Sequence, residues 1–113
     1  MGHKIFAYGT LKDYKLPNTH YALGKLYEVG SPWGLPAMKL CDCRDSKVNG
    51  QLLEVTDQQL AAIDIYEGHP HLYKRSKAYI QKIDGTPEDA TVAWVYIYQP
   101  DIGDGREISK WPV

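Results

Sequence analysis

Short apolar runs separated by polar turns make up most of this sequence, and that pattern is typical of a strand-rich protein. The predicted strands are residues 4–7, 23–29, 37–41, 48–55, 73–83 and 90–98. The last two predict a β-hairpin, and its second strand should be central in its sheet because it is apolar almost throughout. Residues 13–23 predict a loop with one helical turn after Asn18. Gly50, inside a predicted strand, indicates a bulge or the close approach of a neighbour.

One segment carries a strong helix signal. Thr56, followed by Gln59 three residues later, matches a capping box, in which each side chain accepts a hydrogen bond from the other residue's backbone N–H. No helix-breaking residue follows before Gly68. The helix should therefore end near Tyr66 or Glu67.

An acidic residue falls on the inward face of this helix. Leu60, Ile63 and Glu67 stand at positions i, i+3 and i+7, so the carboxyl group shares a stripe with two aliphatic residues. Fraying of the last turn would let Glu67 swing into water. Retention in a partly buried site at the negative end of the helix would raise its pKa towards neutrality, as a general base requires. The pattern leaves both interpretations open.

The first predicted strand runs directly into Tyr-Gly-Thr-Leu at residues 8–11. Glycine can adopt backbone angles that other residues resist, which predicts a tight turn here. Such a turn can aim successive backbone N–H groups at one point and bind an anion without a basic side chain. Tyr-Gly-Thr after a strand is more often an ordinary turn, so the motif indicates a function only in combination with Glu67.

Composition narrows the class of protein. At 113 residues the chain fits one domain, residues 1–113, around a single core. The net charge is −1 and no basic run occurs, so nucleic acid is not expected as a partner. No apolar run approaches the length of a membrane span and no targeting pattern is present, so we expect a cytoplasmic protein with no membrane partner. Nine Tyr and three Trp against one Phe indicate rings at surfaces and pocket walls.

Two pairs of residues have side chains that can bind a metal ion. Cys41 and Cys43 are too close in sequence to link distant segments, and free thiols are the expected state. They could form half of a zinc site, but the sequence offers no second pair of soft ligands. His69 and His71 flank a proline without a clear third ligand, which favours a rigid exposed loop. No metal site is therefore expected.

Four motifs follow one another along the chain. They are Phe6-Ala7-Tyr8-Gly9-Thr10-Leu11-Lys12, Pro17-Asn18, Val48-Asn49-Gly50-Gln51-Leu52 and Ile63-Asp64-Ile65-Tyr66-Glu67-Gly68-His69-Pro70-His71-Leu72-Tyr73-Lys74-Arg75. Together they resemble the gamma-glutamylcyclotransferase-like superfamily, and within it most closely the gamma-glutamylamine cyclotransferase branch. That family has Tyr-Gly-Thr/Ser-Leu after its first strand, a glycine in a middle strand, and an acidic helix end followed by Tyr-x-Arg. Each motif is weak alone, and the ordered combination is fairly specific.

The resemblance implies an α+β fold, with a small mixed β-barrel-like sheet flanked by a few short helices. It assigns four residues to the substrate-holding loop: Tyr8, Gly9, Thr10 and Leu11. It assigns Glu67 to the proton acceptor. Tyr73 and Arg75 stand on motif positions and are given supporting roles in substrate binding, although Arg75 could as easily form an ion pair with Asp64 at the edge of the core.

The activity implied is that of a gamma-glutamyl cyclotransferase. The free α-amino group of a small γ-glutamyl substrate would attack its own γ-carbonyl, close a five-membered ring and release 5-oxoproline with an amine or amino acid. Glu67 would move the protons, and neither a metal nor a cofactor would be needed. Two alternatives remain: a non-catalytic ligand-binding or interaction module on the same fold, and a deprotecting cyclotransferase that acts on a γ-glutamyl-tagged metabolite.

Overall fold

The computed structural model describes residues 2–13, 15–30, 34–41 and 45–108. Its elements are, in chain order, β1 (His3–Ala7), β2 (His20–Val29), β3 (Leu35–Leu40), β4 (Lys47–Val55), α1 (Asp57–Tyr66), β5 (Tyr73–Lys82), a 3-10 turn (Pro87–Asp89), β6 (Thr91–Tyr98) and β7 (Arg106–Ile108). The six strands and the helix predicted from the sequence are all present. The short strand β7 is additional.

Five strands close into a barrel of mixed topology. Their order is β2-β4-β1-β6-β5, and the ring closes where β5 returns to β2, with His20 opposite Lys82. β1 runs parallel to β6, with Ile5 opposite Trp94, and the other barrel pairs are antiparallel. β3 and β7 extend the sheet along the second half of β2. The predicted mixed barrel-like sheet is thus confirmed, and α1 lies beside it.

The predicted hairpin is confirmed as β5 and β6. β6 is central, because it pairs with β5 on one side and with β1 on the other. The register places Tyr73 opposite Tyr98 and Arg75 opposite Tyr96. Residues opposite each other project to the same face of a sheet, so these four side chains share one side of the hairpin. Tyr73 and Tyr96 pack there against residues of α1.

β2 begins at His20, and the helical turn expected after Asn18 is wrong. Thr19 donates its backbone N–H to the carbonyl of Gly50, and His20 lies opposite Gly50 in the β2–β4 pair. The composition of this segment favours a loop, but its pairing with β4 makes it part of the sheet.

Gly50 marks a close approach between two strands, as predicted. A Cβ atom at this position would lie 2.4 Å from the carbonyl oxygen of Ala7 and 2.8 Å from the ring of Phe6. A side chain could fit only if β1 moved. Gly50 therefore lets β4 pack tightly against the end of β1, immediately before the loop at residues 8–11.

The N-terminus of α1 follows from local sequence. Thr56 Oγ1 accepts the Gln59 N–H at 3.1 Å, and Gln59 Oε1 accepts the Thr56 N–H at 2.8 Å, so the capping box is confirmed. The helix spans ten residues. Within the described ranges, no helix has both the length and the apolar character needed to cross a membrane.

The C-terminus of α1 is equally well defined. Gly68 has a φ of +67°, in the left-handed region that favours glycine. Its N–H donates to the carbonyl of Ile65 at 3.1 Å, and the N–H of His69 donates to the carbonyl of Asp64 at 2.9 Å. These two bonds form a Schellman motif. The helix therefore ends at Tyr66 with Glu67 as its cap, as predicted.

Two apolar clusters flank the barrel wall. The first fills the barrel and consists of Phe6, Tyr8, Ala22, Leu26, Met38, Val48, Ile80, Ala93 and Val95. The second packs α1 against the outer face of β1 and the hairpin, and its buried members are Ile5, Leu60, Tyr73 and Tyr96. Alternate residues of β1 and β6 enter the two clusters, because successive side chains of a strand point to opposite faces.

Cys41 forms a disulfide, so the expectation of a free thiol at this position is wrong. The only other cysteine of the chain, Cys43, lies outside the described residues. A spacing of one residue excludes a bridge between distant segments.

Candidate active site

A pocket opens where β1 ends. Its lining comes from the end of β1 and the loop that follows, β3, the cap of α1 and the hairpin, and consists of Phe6, Ala7, Tyr8, Gly9, Thr10, Leu11, Pro36, Glu67, Tyr73 and Tyr96. The cavity itself is small, about 20 Å³, and the space is about 280 Å³ when the open mouth is counted. It lies where the barrel cluster and the helix cluster meet, because Tyr8 belongs to the first and Tyr73 to the second.

Glu67 is the acidic residue of this pocket. Its side chain is only 8% exposed, and its backbone N–H is held by the carbonyl of Ile63 at 2.8 Å. The helix end therefore does not fray, and the carboxyl group does not swing into water. Burial raises the pKa of Glu67 to about 7. In the part of the chain that the structure describes, every fully buried side-chain nitrogen or oxygen has a hydrogen-bond partner. The carboxylate oxygens of Glu67 have no hydrogen-bond partner among these residues. They are therefore not fully buried, and they face the pocket that Glu67 lines.

Three tyrosines line the pocket together with Glu67, and the hydroxyl of each donates its proton to another acceptor. Tyr8 donates to the backbone carbonyl of Tyr96, and Tyr73 donates to a backbone carbonyl of β3 at 2.6 Å. Tyr96 donates to Asp64 Oδ1 at 2.6 Å. Burial raises the pKa of all three phenols, and the nearby charge of Glu67 raises it further. Because a phenol has a single proton, none of these hydroxyls donates to Glu67.

The loop at residues 8–11 forms the predicted tight turn, closed by a hydrogen bond from the Lys12 N–H to the Gly9 carbonyl at 3.0 Å. In the part of the chain that the structure describes, the N–H groups of Thr10 and Leu11 donate to no backbone carbonyl. Both residues line the pocket. The expectation that Gly9 uses glycine's special angles is wrong, because its φ is not positive.

Gln51 fastens the segment that follows this loop. Its side chain is buried, and Nε2 donates to the carbonyls of Asp13 and Leu16 at 2.7 and 2.9 Å. Oε1 accepts the Asp13 N–H at 2.9 Å. Three hydrogen bonds from one buried amide therefore tie residues 13–16 to β4, next to the close approach at Gly50.

Arg75 forms the ion pair that the sequence allowed. Its Nε and Nη2 donate to the two carboxylate oxygens of Asp64 at 2.9 and 3.0 Å, and the guanidinium lies 4.3 Å from the ring centre of Trp94. Burial of Asp64 would raise its pKa, but the hydrogen bonds from Arg75 and Tyr96 outweigh burial and hold the pKa below its ordinary value. Arg75 does not belong to the pocket lining.

The structure therefore brings most of the predicted site residues into one pocket: Tyr8, Gly9, Thr10, Leu11, Glu67 and Tyr73. Sequence reasoning missed four residues of the lining, Phe6, Ala7, Pro36 and Tyr96, and Gln51 behind the loop. Tyr96 reaches the site through the register of the hairpin, which places it opposite Arg75 and which the sequence pattern does not specify. No signal existed for Pro36, which reaches the pocket only because β3 packs near the hairpin.

Other candidate sites are less complete. A larger groove of about 360 Å³ lies between β2, the end of β3 and β5, but its described lining contains no acidic group. In residues 2–13, 15–30, 34–41 and 45–108, the His, Cys, Asp and Glu side chains form no group of three that could hold a metal ion. The chemistry expected of Glu67 is therefore concentrated in the pocket at the end of β1.

Comparison with known proteins places this chain in a family. Residues 5–112 match the family model described as gamma-glutamyl cyclotransferase, AIG2-like. The chain belongs to this family. A curated protein of Halalkalibacterium halodurans, named "Putative gamma-glutamylcyclotransferase", is 31% identical over 81 residues, which are 72% of this chain and 68% of that protein. The superfamily suggested by the sequence motifs is thus confirmed.

Solved structures agree in fold. A crystal structure of an AIG2-like protein from Mus musculus has a TM-score of 0.69 at 22% identity, covering 97% of this chain and 88% of that one. The solution structure of a protein from Arabidopsis thaliana has a TM-score of 0.71 at 19% identity, covering 98% of this chain and 77% of that one. At such identities the likeness concerns the fold, which is that of the gamma-glutamyl cyclotransferase, AIG2-like family.

Proposed function

We propose that this family member cyclises the γ-glutamyl group of a small-molecule substrate. The substrate's α-amino nitrogen attacks its own γ-carbonyl carbon, and the bond from that carbon to the departing nitrogen then breaks. The products are 5-oxoproline and an amine or amino acid. One carbon–nitrogen bond forms and one breaks, so no oxidant, reductant or second substrate is required.

One observation carries this proposal. Glu67 is buried, without a hydrogen-bond partner among the described residues, in the same pocket as the loop at residues 8–11. With its pKa raised to about 7, the carboxyl group is present in both protonation states near neutral pH. A group that must first take up a proton and then return it works best with such a pKa.

Glu67 serves both proton transfers in this mechanism. As the ring closes, the carboxylate takes the proton that the attacking nitrogen loses, and the γ-carbonyl oxygen becomes an oxyanion. As the intermediate collapses, the carboxyl group gives the same proton to the departing nitrogen. Both nitrogens are bonded to one carbon in the intermediate, so a single carboxyl group can reach both.

The loop at residues 8–11 holds the negative charge of the substrate. Thr10 and Leu11 line the pocket and their N–H groups donate to no backbone carbonyl of the described residues, so we assign these two N–H groups to either the α-carboxylate or the oxyanion. One preorganised oxyanion donor typically lowers a barrier by about 3–4 kcal/mol. Nucleophile and electrophile belong to one molecule, and holding them in the reactive conformation can supply roughly 7–11 kcal/mol. The mechanism therefore needs no metal ion or cofactor.

The test is direct detection of product. The protein is incubated with γ-glutamyl amines, γ-glutamyl amino acids and glutathione, and 5-oxoproline is measured by mass spectrometry. At least one class should give 5-oxoproline, and Glu67→Gln should fold normally and lose at least about a hundredfold in turnover, in line with the loss of a general base. Because the base must be ionised, the rate should rise with pH through about 7.

Two outcomes would contradict this proposal. If no class of substrate gives 5-oxoproline while γ-glutamyl compounds still bind, the chain is a binding module on this fold. If Glu67→Gln keeps the activity of the wild type, the proton acceptor is another group. Glu54→Gln is the matched control, because it makes the same change at an exposed position of β4.

A further inference from the structure

Asp64 and Arg75 lie directly beside the candidate site, and the mechanism above gives them no role. Asp64 precedes Glu67 by one turn of α1, and its Oδ1 accepts hydrogen bonds both from the Tyr96 hydroxyl and from Arg75. The two charged side chains are about one-fifth exposed, at 20% for Arg75 and 19% for Asp64. Tyr96 itself lines the pocket. The pair is thus connected to the pocket through one phenol.

The direction of the Tyr96 hydrogen bond matters for Glu67. A hydroxyl that donates to Asp64 has only lone pairs left for its other neighbours. If the same hydroxyl turned to Glu67, it would stabilise the ionised carboxylate and weaken it as a base. The short bond to a charged acceptor prevents that turn, because charge-assisted hydrogen bonds are the stronger ones.

Arg75 is itself held from several sides. Its backbone N–H donates to His69 Nδ1 at 3.0 Å, and its guanidinium stacks on Trp94 while it binds both oxygens of Asp64. It also lies opposite Tyr96 in the hairpin. The guanidinium therefore neutralises Asp64 in a fixed position, so that Asp64 adds no uncompensated negative charge one turn from Glu67.

We infer that Asp64 and Arg75 are positioning residues for the proposed reaction. Together they form a neutral pair that accepts the hydrogen bond from the Tyr96 hydroxyl. Glu67 is then the carboxyl group at this end of α1 that exchanges a proton with the substrate. The inference deepens the proposed function and rests on it.

The titratable and charged groups around the two carboxyl groups can be named from the packing. Glu67 is faced by three phenols, Tyr8 at the end of β1, Tyr73 on β5 and Tyr96 on β6. Asp64 is faced by Arg75 and Tyr96 from the hairpin and by His69 from the segment after α1. Tyr96 is the group that the two sets share, so a change at Asp64 should reach Glu67 through it.

The decisive experiment titrates Glu67 directly. Protein labelled with ¹³C at the glutamate carboxyl carbon is followed by NMR against pH, and Glu67→Gln assigns the signal. Asp64→Asn replaces the charged acceptor by a neutral amide oxygen, so the carboxylate of Glu67 becomes the stronger acceptor for the Tyr96 hydroxyl, and the titration midpoint of Glu67 should fall by about one pH unit or more. In the double variant Asp64→Asn with Tyr96→Phe no hydroxyl remains to turn, and the midpoint should return close to that of the wild type.

Two results would overturn the inference. One is an Asp64→Asn midpoint equal to that of the wild type. The other is a titration midpoint of Glu67 that stays lowered in the double variant Asp64→Asn with Tyr96→Phe. The unpaired charge of Arg75, and not the Tyr96 hydroxyl, would then be the cause of the lower midpoint. Asp57→Asn is the matched control, because it makes the same change in the first turn of the same helix. If Asp64→Asn does not fold, Arg75→Gln is used instead. In that variant Asp64 still accepts the hydrogen bond from Tyr96, and its negative charge is no longer neutralised by Arg75. The titration midpoint of Glu67 must therefore not fall.

Kinetics provide a readout that a purely structural role would not give. In Asp64→Asn the acidic limb of the pH–rate profile should move down with the Glu67 midpoint, and kcat should fall about tenfold with KM changed less than about twofold, because the base is weaker and the pocket wall remains. An unshifted limb contradicts the inference. Absence of turnover in the wild type on every γ-glutamyl substrate would refute the proposed function instead, and the NMR titration would still decide the role of Asp64.

Discussion

The burial of Glu67 should lower the free energy of unfolding at neutral pH, compared with a protein that has a side chain at this position that cannot ionise. The folded state raises the pKa of this carboxyl group from 4.5 to about 7 because burial disfavours its ionised form. A group with a raised folded pKa contributes its full stability below the unfolded pKa and loses that contribution as pH rises through the folded pKa. Replacing Glu67 by Gln, which cannot ionise, should therefore stabilise the protein above about pH 7.

The size of this effect can be worked out. The shift from 4.5 to about 7 is about 2.5 units, and at about 1.36 kcal/mol per unit it sets an upper limit of roughly 3 kcal/mol. One side of the carboxyl group faces the pocket, where solvent screens part of the penalty, so a gain of about 1–2 kcal/mol is expected. For a chain of this length that gain corresponds to a Tm higher by roughly 4–8 °C.

The assay is chemical denaturation of the wild type and of Glu67→Gln at about pH 4.5 and about pH 8, the unfolded and folded pKa values being near 4.5 and 7. The stability difference between the two proteins should be about 1–2 kcal/mol larger at the higher pH. Glu54→Gln, at an exposed position, controls for the general effect of removing a glutamate.

A stability difference independent of pH would refute the reasoning. It would mean that the carboxyl group is solvated in the folded state and that Glu67 is not tuned as a base. A destabilised Glu67→Gln at pH 8 would show instead that the carboxylate makes a favourable contact there. The predicted result, with activity lost and stability gained by one substitution, is the pattern expected of a residue kept for function.

Two further predictions concern the support of the loop at residues 8–11. Gly50→Ala should lower the free energy of unfolding by about 1–3 kcal/mol in denaturation experiments, because its Cβ would meet the Ala7 carbonyl, whereas Gly2→Ala, with open space around it, should have no such effect. Gln51→Leu removes three hydrogen bonds to residues 13–16 and should raise KM more than it lowers kcat, at a stability loss of about 1–3 kcal/mol. Unchanged KM and stability in Gln51→Leu would mean that the loop is held by other contacts.

The helix and its ends were predictable because the signals are local. Thr56 and Gln59 satisfy each other's backbone N–H groups three residues apart, and Gly68 supplies the left-handed residue that ends the helix. The stripe of Leu60, Ile63 and Glu67 follows from the period of the helix alone. These interactions join residues within one or two helical turns, so they can be predicted from the local sequence.

Strand pairing decided what the local pattern left undetermined. Residues 17–19 have the composition of a loop, and their neighbour His20 is in a strand because it pairs with Gly50 of β4 and Lys82 of β5. Gly9 stands where glycine suggested a positive φ, but the observed turn does not use one. Whether Arg75 pairs with Asp64 or contacts a substrate likewise depends on the hairpin register, which brings Arg75 beside Tyr96.

The sequence by itself determined that a carboxyl group stands on the apolar stripe of a capped helix and that a turn motif follows the first strand. It also carried the motifs that place the chain in its family. Only the tertiary structure decided that these two features share one pocket, that Tyr96 and Pro36 complete it, and that Glu67 is left without a donor among the described residues. The physical reason is range: capping and periodicity act between near neighbours, whereas desolvation and hydrogen-bond direction depend on strands brought together by closure of the barrel.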